Sequence, residues 1–301
     1  ADTVVMQEHV ERAGDTVRIG SGHKPGRNVR SAGEDLTAGQ PVFAAGKCLT
    51  PADIGVLASL GLGEVSVTRR LKVAFFSTGD ELRAVGEPLG PGEIYDSNRY
   101  TLYGMLKKLD VEILDMGVVR DRRDLVEQAF NTAAASADVI ITSGGVSVGE
   151  ADFVKETLEK LGSMSFWKIA MKPGRPVTFG HINNAVFFGL PGNPVSVMVT
   201  FFQFVRPALV KMTGNGGSPD AFTVCARATT ALRKRPGRFE FQRGVLEQHS
   251  PGEFTVRSAG AQGSGILRSM SEANCFIMLD PDCTGIAAGD QVVVQPFQNL
   301  I

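Results

Sequence analysis

Cysteine is scarce and scattered. Cys48, Cys225, Cys275 and Cys283 form no CxxC pair, so neither a zinc site nor a disulfide framework is indicated, and a reducing, cytoplasmic compartment fits best. Histidine is equally sparse: His9, His23, His181 and His249 show no ligand spacing. Net charge is missing too. With 31 Lys and Arg against 32 Asp and Glu, the formal charge is -1, which gives no electrostatic case for nucleic acid or an anionic membrane as the main partner. Any anion site must therefore be local. The longest apolar run, Val195 to Val210, is broken by Gln203 and Arg206. It falls short of the roughly 20 residues that span a bilayer and reads as a core helix. No signal peptide is visible. The chain starts at Ala1 and enters Val4-Val5-Met6 almost at once, so it is expected to be part of a longer protein.

What is present describes a globular chain of more than one domain. Apolar residues make up 43% and charged residues 21%, proportions that argue against disorder. A length of 301 residues exceeds one ordinary core. Residues 1–32 carry β-like pieces, Thr3–Met6 and Thr16–Ile19, between polar turns. In residues 33–70, Thr50 caps a helix with Pro51 at its first position, and Val65–Val67 resumes as a strand. Residues 71–213 alternate strand and helix. Strands are expected at Lys72–Ser77, Val111–Val119, Asp138–Thr142 and Phe166–Ala170, and as a Val177–Ile182/Ala185–Leu190 pair. Helices are expected at Ser97–Leu109, Arg122–Ala135, Phe153–Leu161 and Pro194–Met212. This pattern predicts an α/β fold with a doubly wound, mostly parallel sheet. It is flanked by an incomplete N-terminal α+β region and, over 214–301, by short strands that suggest a small β-barrel or sandwich.

The stretch from Thr142 to Asp152 organises the candidate site. A buried strand leads into Ser143, Gly144, Gly145, Ser147 and Gly149, and a helix follows. That arrangement turns backbone N–H groups and a helix dipole toward an oxyanion. The alternative is a tight turn in which Asp152 is an acidic cap. Ligands of doubly wound sheets bind at the carboxyl ends of the strands, and there the other loops collect. They carry Thr78, Gly79, Asp80 and Glu81; Arg120 and Asp121; Lys168, Lys172, Pro173, Gly174 and Arg175; and Pro191, Gly192 and Asn193. Each loop alone reads equally well as solvated surface, but five at one rim point to a site. Carboxylates beside a phosphate cradle call for Mg²⁺, with the cations neutralising oxyanions. Asn193 and Pro194 start a helix that offers N–H groups to another anion. Arg243 and the Gly263-Ser264-Gly265 loop either close over the rim or belong to an ordinary strand face.

The motifs Phe75 to Leu82, Ile94-Tyr95-Asp96-Ser97-Asn98, Thr142 to Asp152, Lys172 to Pro176 and Gly189 to Ser196 resemble, in this order, the molybdopterin molybdotransferase (MoeA) family. The resemblance covers essentially the whole chain. It implies insertion of molybdenum from molybdate into adenylylated molybdopterin, with Mg²⁺ assisting and AMP released. By position it implies an acidic, metal-holding group at Asp35, Glu81, Asp121 and Asp152, and catalytic lysines at Lys168 and Lys172. It also implies substrate contacts at Asn98, Arg243 and Ser264, with Arg175 standing where the family commonly has lysine. Residues 1–32 look like the tail of a β-rich second domain and 33–70 like the return into an elongated first domain. A homodimer of the full-length protein and contact with the adenylyltransferase that supplies the substrate are further implications. The alternatives are that adenylyltransferase itself, whose fold resembles residues 71–213, and a gephyrin-like non-enzymatic scaffold.

Overall fold

The computed structural model describes residues 2–144, 153–214 and 222–297, the side chains of 153–155, 166 and 167 excepted. Two compact units divide it after Leu49. In the N-terminal unit, β1 (Val10–Ala13) and β2 (Thr16–Ile19) form an antiparallel hairpin. The expected strand at Thr3–Met6 is absent. That segment is held instead by single bonds such as Val4 N–H to the Arg27 carbonyl, and its place in a ladder is taken by Val10–Ala13, whose charged residues hide the strand pattern.

The second unit opens with α1 (Pro51–Ser59). Thr50 Oγ1 accepts from Asp53 N while the Asp53 carboxylate accepts from Thr50 N, a reciprocal capping box. At the other end Gly61 N–H and Leu62 N–H bond back to the Ala58 and Leu57 carbonyls, closing the helix. Val65–Val67 joins no ladder.

The central sheet is built from β3 (Lys72–Thr78), β6 (Glu112–Val119), β7 (Val139–Ser143), β8 (Gly162–Lys168), β10 (Pro176–Ile182) and β11 (Ala185–Leu190), in the order β6-β3-β7-β11-β10-β8. The first four strands in that order run parallel, and β10 runs antiparallel to both its neighbours. Between them lie the short parallel pair β4 (Leu82–Arg83) and β5 (Ile94–Tyr95), and the two-residue β9 (Met171–Lys172). The last strand before β9 starts at Gly162, directly after its helix, earlier than the expected Phe166.

Helices cover both faces. On one, α2 (Ser97–Lys107) and the Pro194–Met212 helix pack Leu102, Leu106, Val195, Val199 and Phe201 against Phe75 and Ile141. On the other, α3 (Arg123–Ser136) and α4 (Phe153–Leu161) cover Ala74 and Ile140, and Phe130 stacks edge-on between Phe76 and Phe187 at 5.1 and 5.6 Å. The 194–212 helix is long and apolar enough to cross a membrane, yet its most apolar window is 56% buried in protein, so it serves as a core helix. It is not uniform. α5 (Pro194–Thr200) and α6 (Arg206–Met212) are joined by a π-helical turn, Phe201–Val205, in which Arg206 N–H reaches the Phe201 carbonyl. Pro207 has no N–H to donate, and the wider turn passes over that missing bond.

The C-terminal strands close on themselves. β12 (Val224–Ala228), β14 (Phe239–Ser250), β15 (Glu253–Ser258), β16 (Cys275–Leu279) and β18 (Gln291–Pro296) form a five-stranded barrel sealed by the β14–β15 pairing. Closure removes the exposed edges that a sandwich would leave. Ala226, Val256, Cys275, Ile277 and Val294 fill it. A two-residue ladder, β13 (Leu232–Arg233) with β17 (Gly285–Ile286), and the short α7 (Arg268–Glu272) complete the unit. β9 pairs with the start of β14, Met171 opposite Phe239 and Lys172 opposite Glu240. The connection between β8 and β10 is therefore tied to the barrel by backbone pairing.

Candidate active site

Strand direction brings the loops together. β3, β6, β7 and β11 run parallel, and β11 ends at Leu190 beside Ser143. Antiparallel β10 begins at Pro176 beside the end of β8 at Lys168. Thr78–Glu81, Arg120–Asp121, Ser143–Gly144, Lys168–Arg175 and Pro191–Asn193 therefore stand at one end of one sheet. Gly145, Ser147, Gly149 and Asp152 lie outside the described residues, and Asp35 is an exposed residue of the separate N-terminal unit.

The centre of the rim is held by Asn98. Its Nδ2 donates to Ser143 Oγ at 2.8 Å and to the Gly192 carbonyl at 2.7 Å, joining the start of α2 to the ends of β7 and β11. Asp96 caps that helix by accepting from Arg99 N. Around this point Ser77 Oγ, Thr78 Oγ1, Thr142 Oγ1, Asn98 Oδ1 and one oxygen of Asp96 are buried without a partner among the described residues. Buried polar atoms are normally paired, so a rim this rich in spare oxygens is suited to a polar ligand. Gly144 makes the close approach possible. Its φ is +85°, and a Cβ there would sit 2.6 Å from the Thr78 carbonyl oxygen, so only glycine lets the strand end turn over β3. Gly144 N–H donates to the Leu190 carbonyl, so this amide is spent on the neighbouring strand end.

Asp80 ties the two outer loops. Its carboxylate accepts Asp121 N–H at 3.2 Å, and its carbonyl accepts from both Arg83 Nη1 and Arg120 Nη1. Arg83 also pairs with Glu93, and Ile94 N–H donates to the Glu81 carbonyl. The Glu81 carboxylate folds back over Gly79, where an added Cβ would meet it at 2.5–2.9 Å. Among the described residues no three His, Cys, Asp or Glu side chains form a metal-sized group; of the four acids expected to hold Mg²⁺, Glu81 and Asp121 are the pair on the described rim.

On the basic side, Lys168 and Arg175 are exposed and flank buried Pro173 and Gly174. Lys172 Nζ donates to Glu240 Oε1 at 3.3 Å, and Glu240 is only 5% exposed. Nothing in the sequence announced Glu240 as a partner, because it belongs to the barrel.

Arg243 is not an ordinary strand-face residue. It is 1% exposed and lies inside the barrel domain. There Nε donates to Ser269 Oγ, Nη2 donates to the Ala261 and Gly263 carbonyls, and its backbone N–H donates to Gln262. Burial pulls its guanidinium down to about 10. It organises the loop that carries Ser264, whose carbonyl accepts Val195 N–H at 3.1 Å. At the start of the 194 helix Pro194 has no N–H, Val195 gives its own to Ser264, Val197 gives its own to the Asn193 carbonyl, and the Asn193 side chain makes no cap, so the Val195 amide is not offered to an anion there.

Known proteins supply the comparison. Three family profiles cover the chain: one described as the MoeA N-terminal region (domain I and II) over residues 1–61, one as a probable molybdopterin binding domain over 74–211, and one as the MoeA C-terminal region (domain IV) over 225–297. A molybdopterin molybdenumtransferase of Haemophilus influenzae is 46% identical across 100% of this chain and 74% of its own. One from Nostoc is 36% identical over 97% and 68%. A solved molybdopterin biosynthesis MoeA protein of Pyrococcus horikoshii superposes with a TM-score of 0.79 at 30% identity, over 98% of this chain and 72% of that one.

Proposed function

This chain belongs to the MoeA family, and we propose that it is a molybdopterin molybdotransferase, a transferase that inserts molybdenum into molybdopterin during molybdenum cofactor synthesis. The observation that carries this reading is the single rim where Asn98, Gly144 and Asp80 lock four strand-end loops together, beside the basic Lys168–Arg175 loop. The finer proposal takes molybdate and adenylylated molybdopterin as substrates and yields molybdenum cofactor and AMP.

In this proposal the glycine loop after Ser143 cradles the phosphates, with Gly145, Ser147 and Gly149 contributing. Thr78, Gly79, Asp80, Pro191, Gly192 and Asn193 shape the adjoining wall. Lys168, Lys172 and Arg175 hold the anionic reactant oxygens, the arginine by its fork and the lysines as point charges. Glu81 and Asp121, with Asp152, supply oxygen donors only, which fits a hard ion such as Mg²⁺ bound through one or two carboxylates and substrate phosphate. Such an ion would neutralise charge on the phosphoanhydride as AMP leaves. No protein nucleophile is needed: a water or molybdate oxygen would take the bond to phosphorus that the anhydride gives up, and two oxo ligands of molybdate would give way to the two dithiolene sulfurs, leaving as water with the thiol protons and protons from solvent. A cytoplasmic location, a homodimer and hand-over from the adenylyltransferase complete the proposal. The matches of the flanking regions to MoeA profiles support this reading over the adenylyltransferase.

The test is AMP release from adenylylated molybdopterin with and without molybdate and Mg²⁺. Release that depends on molybdate, and its loss with retained substrate binding in Glu81→Gln, is the expected result. Consumption of ATP and molybdopterin in its place would identify the adenylyltransferase reaction instead.

A further inference from the structure

A second basic feature lies on the barrel side of Lys172. A cleft of about 780 Å³ is lined by Lys172, Arg233, Lys234, Arg235, Arg238 and Glu240, with the β17 turn as its far wall. It holds five cations to one carboxylate in a chain whose net charge is -1, and that carboxylate is already paired with Lys172. The cleft is also built. Lys234 is 8% exposed and spends its ammonium on three carbonyls, those of Arg235, Pro281 and Cys283. Gly237 N–H donates to the Pro281 carbonyl, Gln242 Nε2 donates to the Arg233 carbonyl, and the β13–β17 ladder fixes Arg233 against the β17 wall. On this pinned loop the exposed side chains of Arg233, Arg235 and Arg238 have no hydrogen-bond or ion-pair partner among the described residues. Asp280 and Asp282 stand on the neighbouring turn and form no ion pair with them. Three unpaired guanidinium groups held by a buried ammonium are an arrangement for attracting anions rather than for stabilising the fold.

We propose that this cleft captures divalent tetrahedral oxyanions from solution and delivers them to Lys172, so that Arg233, Arg235 and Arg238 are recruiting residues for molybdate. The inference rests on the molybdotransferase reading for its substrate. Attraction scales with ligand charge and is largely screened beyond a Debye length, about 10 Å at 0.1 M salt. A dianion therefore gains more than chloride or formate, and gains most at low ionic strength. Lys172 can receive it, because an ammonium has three donors and Glu240 takes one.

The experiment compares the wild type with R233Q/R235Q/R238Q, with R235Q alone as the milder variant should the triple lose its fold by thermal denaturation. Equilibrium dialysis with labelled molybdate, and separately with labelled sulfate, is run without pterin at about 10 mM and about 500 mM salt. Turnover gives kcat and KM for molybdate. The expected result is oxyanion binding at low salt that the triple variant loses about tenfold for both anions. KM should rise about tenfold at low salt and less than twofold at high salt, with kcat unchanged, a range set by typical electrostatic steering. Equal binding by wild type and variants, or a loss that salt does not alter, overturns the proposal. If oxyanions bind through the three arginines but no molybdenum cofactor forms, the molybdotransferase reading falls while anion capture stands.

Discussion

The Asp80 carboxylate accepts the backbone N–H of Asp121 at 3.2 Å, so the loop after β3 sets the position of the loop after β6. Two acidic loops that the proposed reaction needs together are joined by one side chain from outside the proposed metal-holding group. Asp80→Ala should lower turnover about tenfold with little change in stability, since one exposed hydrogen bond contributes only about 1 kcal/mol. Asp80→Asn keeps the accepting oxygen and should retain most of the activity. Steady-state kinetics beside thermal denaturation of both variants decides this.

Gly144→Ala tests the close turn over β3. The added methyl would meet the Thr78 carbonyl at 2.6 Å in a left-handed backbone, at a cost of about 1–3 kcal/mol. Urea unfolding should report that loss, and substrate affinity should drop with it, because the cradle shifts.

Arg243→Met removes the donor to Ser269, Ala261 and Gly263. Stability should fall by about 2 kcal/mol, as partly buried acceptors go unpaired. The Ser264 loop should become more accessible to protease. Wild-type protease resistance in this variant would show that the guanidinium does not hold the loop.

Asp138 accepts both Nη atoms of Arg69 at 2.6–2.7 Å and Lys72 N–H at 2.8 Å. Hydrogen bonding to Arg69 is the main cause holding its carboxyl below the ordinary range. A depressed carboxylate contributes stability above its unfolded pKa, about 3.9, and loses it as pH falls through the lower folded value. Asp138→Asn should thus melt below wild type at pH 7, and the gap should close progressively below about pH 4.

Thiol labelling should separate the four cysteines. Cys48 and Cys225 are exposed, while burial pushes the Cys275 thiol up to about 12. At pH 8 only about one Cys275 in ten thousand would be thiolate. Mass spectrometry should find Cys48 and Cys225 modified within minutes and Cys275 only after denaturation.

Much of this was legible in the chain, for identifiable reasons. Val73–Phe76 and Val139–Ile141 are unbroken apolar runs because both faces of a parallel sheet are covered, and Thr50-Pro51 carries its helix start in the side chains themselves. The rim followed from strand direction alone. Local patterns were less informative where the partner is distant. Arg243 looked like any strand-face residue because its three acceptors come from a loop and from α7, which only tertiary folding brings near. Glu240 and Lys172 meet through β9, two residues too short to register as a strand. The π-turn ahead of Pro207 reflects one missing N–H inside a stretch whose apolar periodicity reads as unbroken helix.

The pairing of Met171–Lys172 with Phe239–Glu240 bears on how such a protein can be rearranged. Cutting at residues 213–222 divides the sequence into an α/β part and a barrel part. The seam, however, runs through the ladder rather than through the linker. A hybrid that takes its barrel from a relative inherits a foreign counter-ion for its own Lys172, so the heritable unit of this site is the Lys168–Arg175 hairpin turn together with the start of β14.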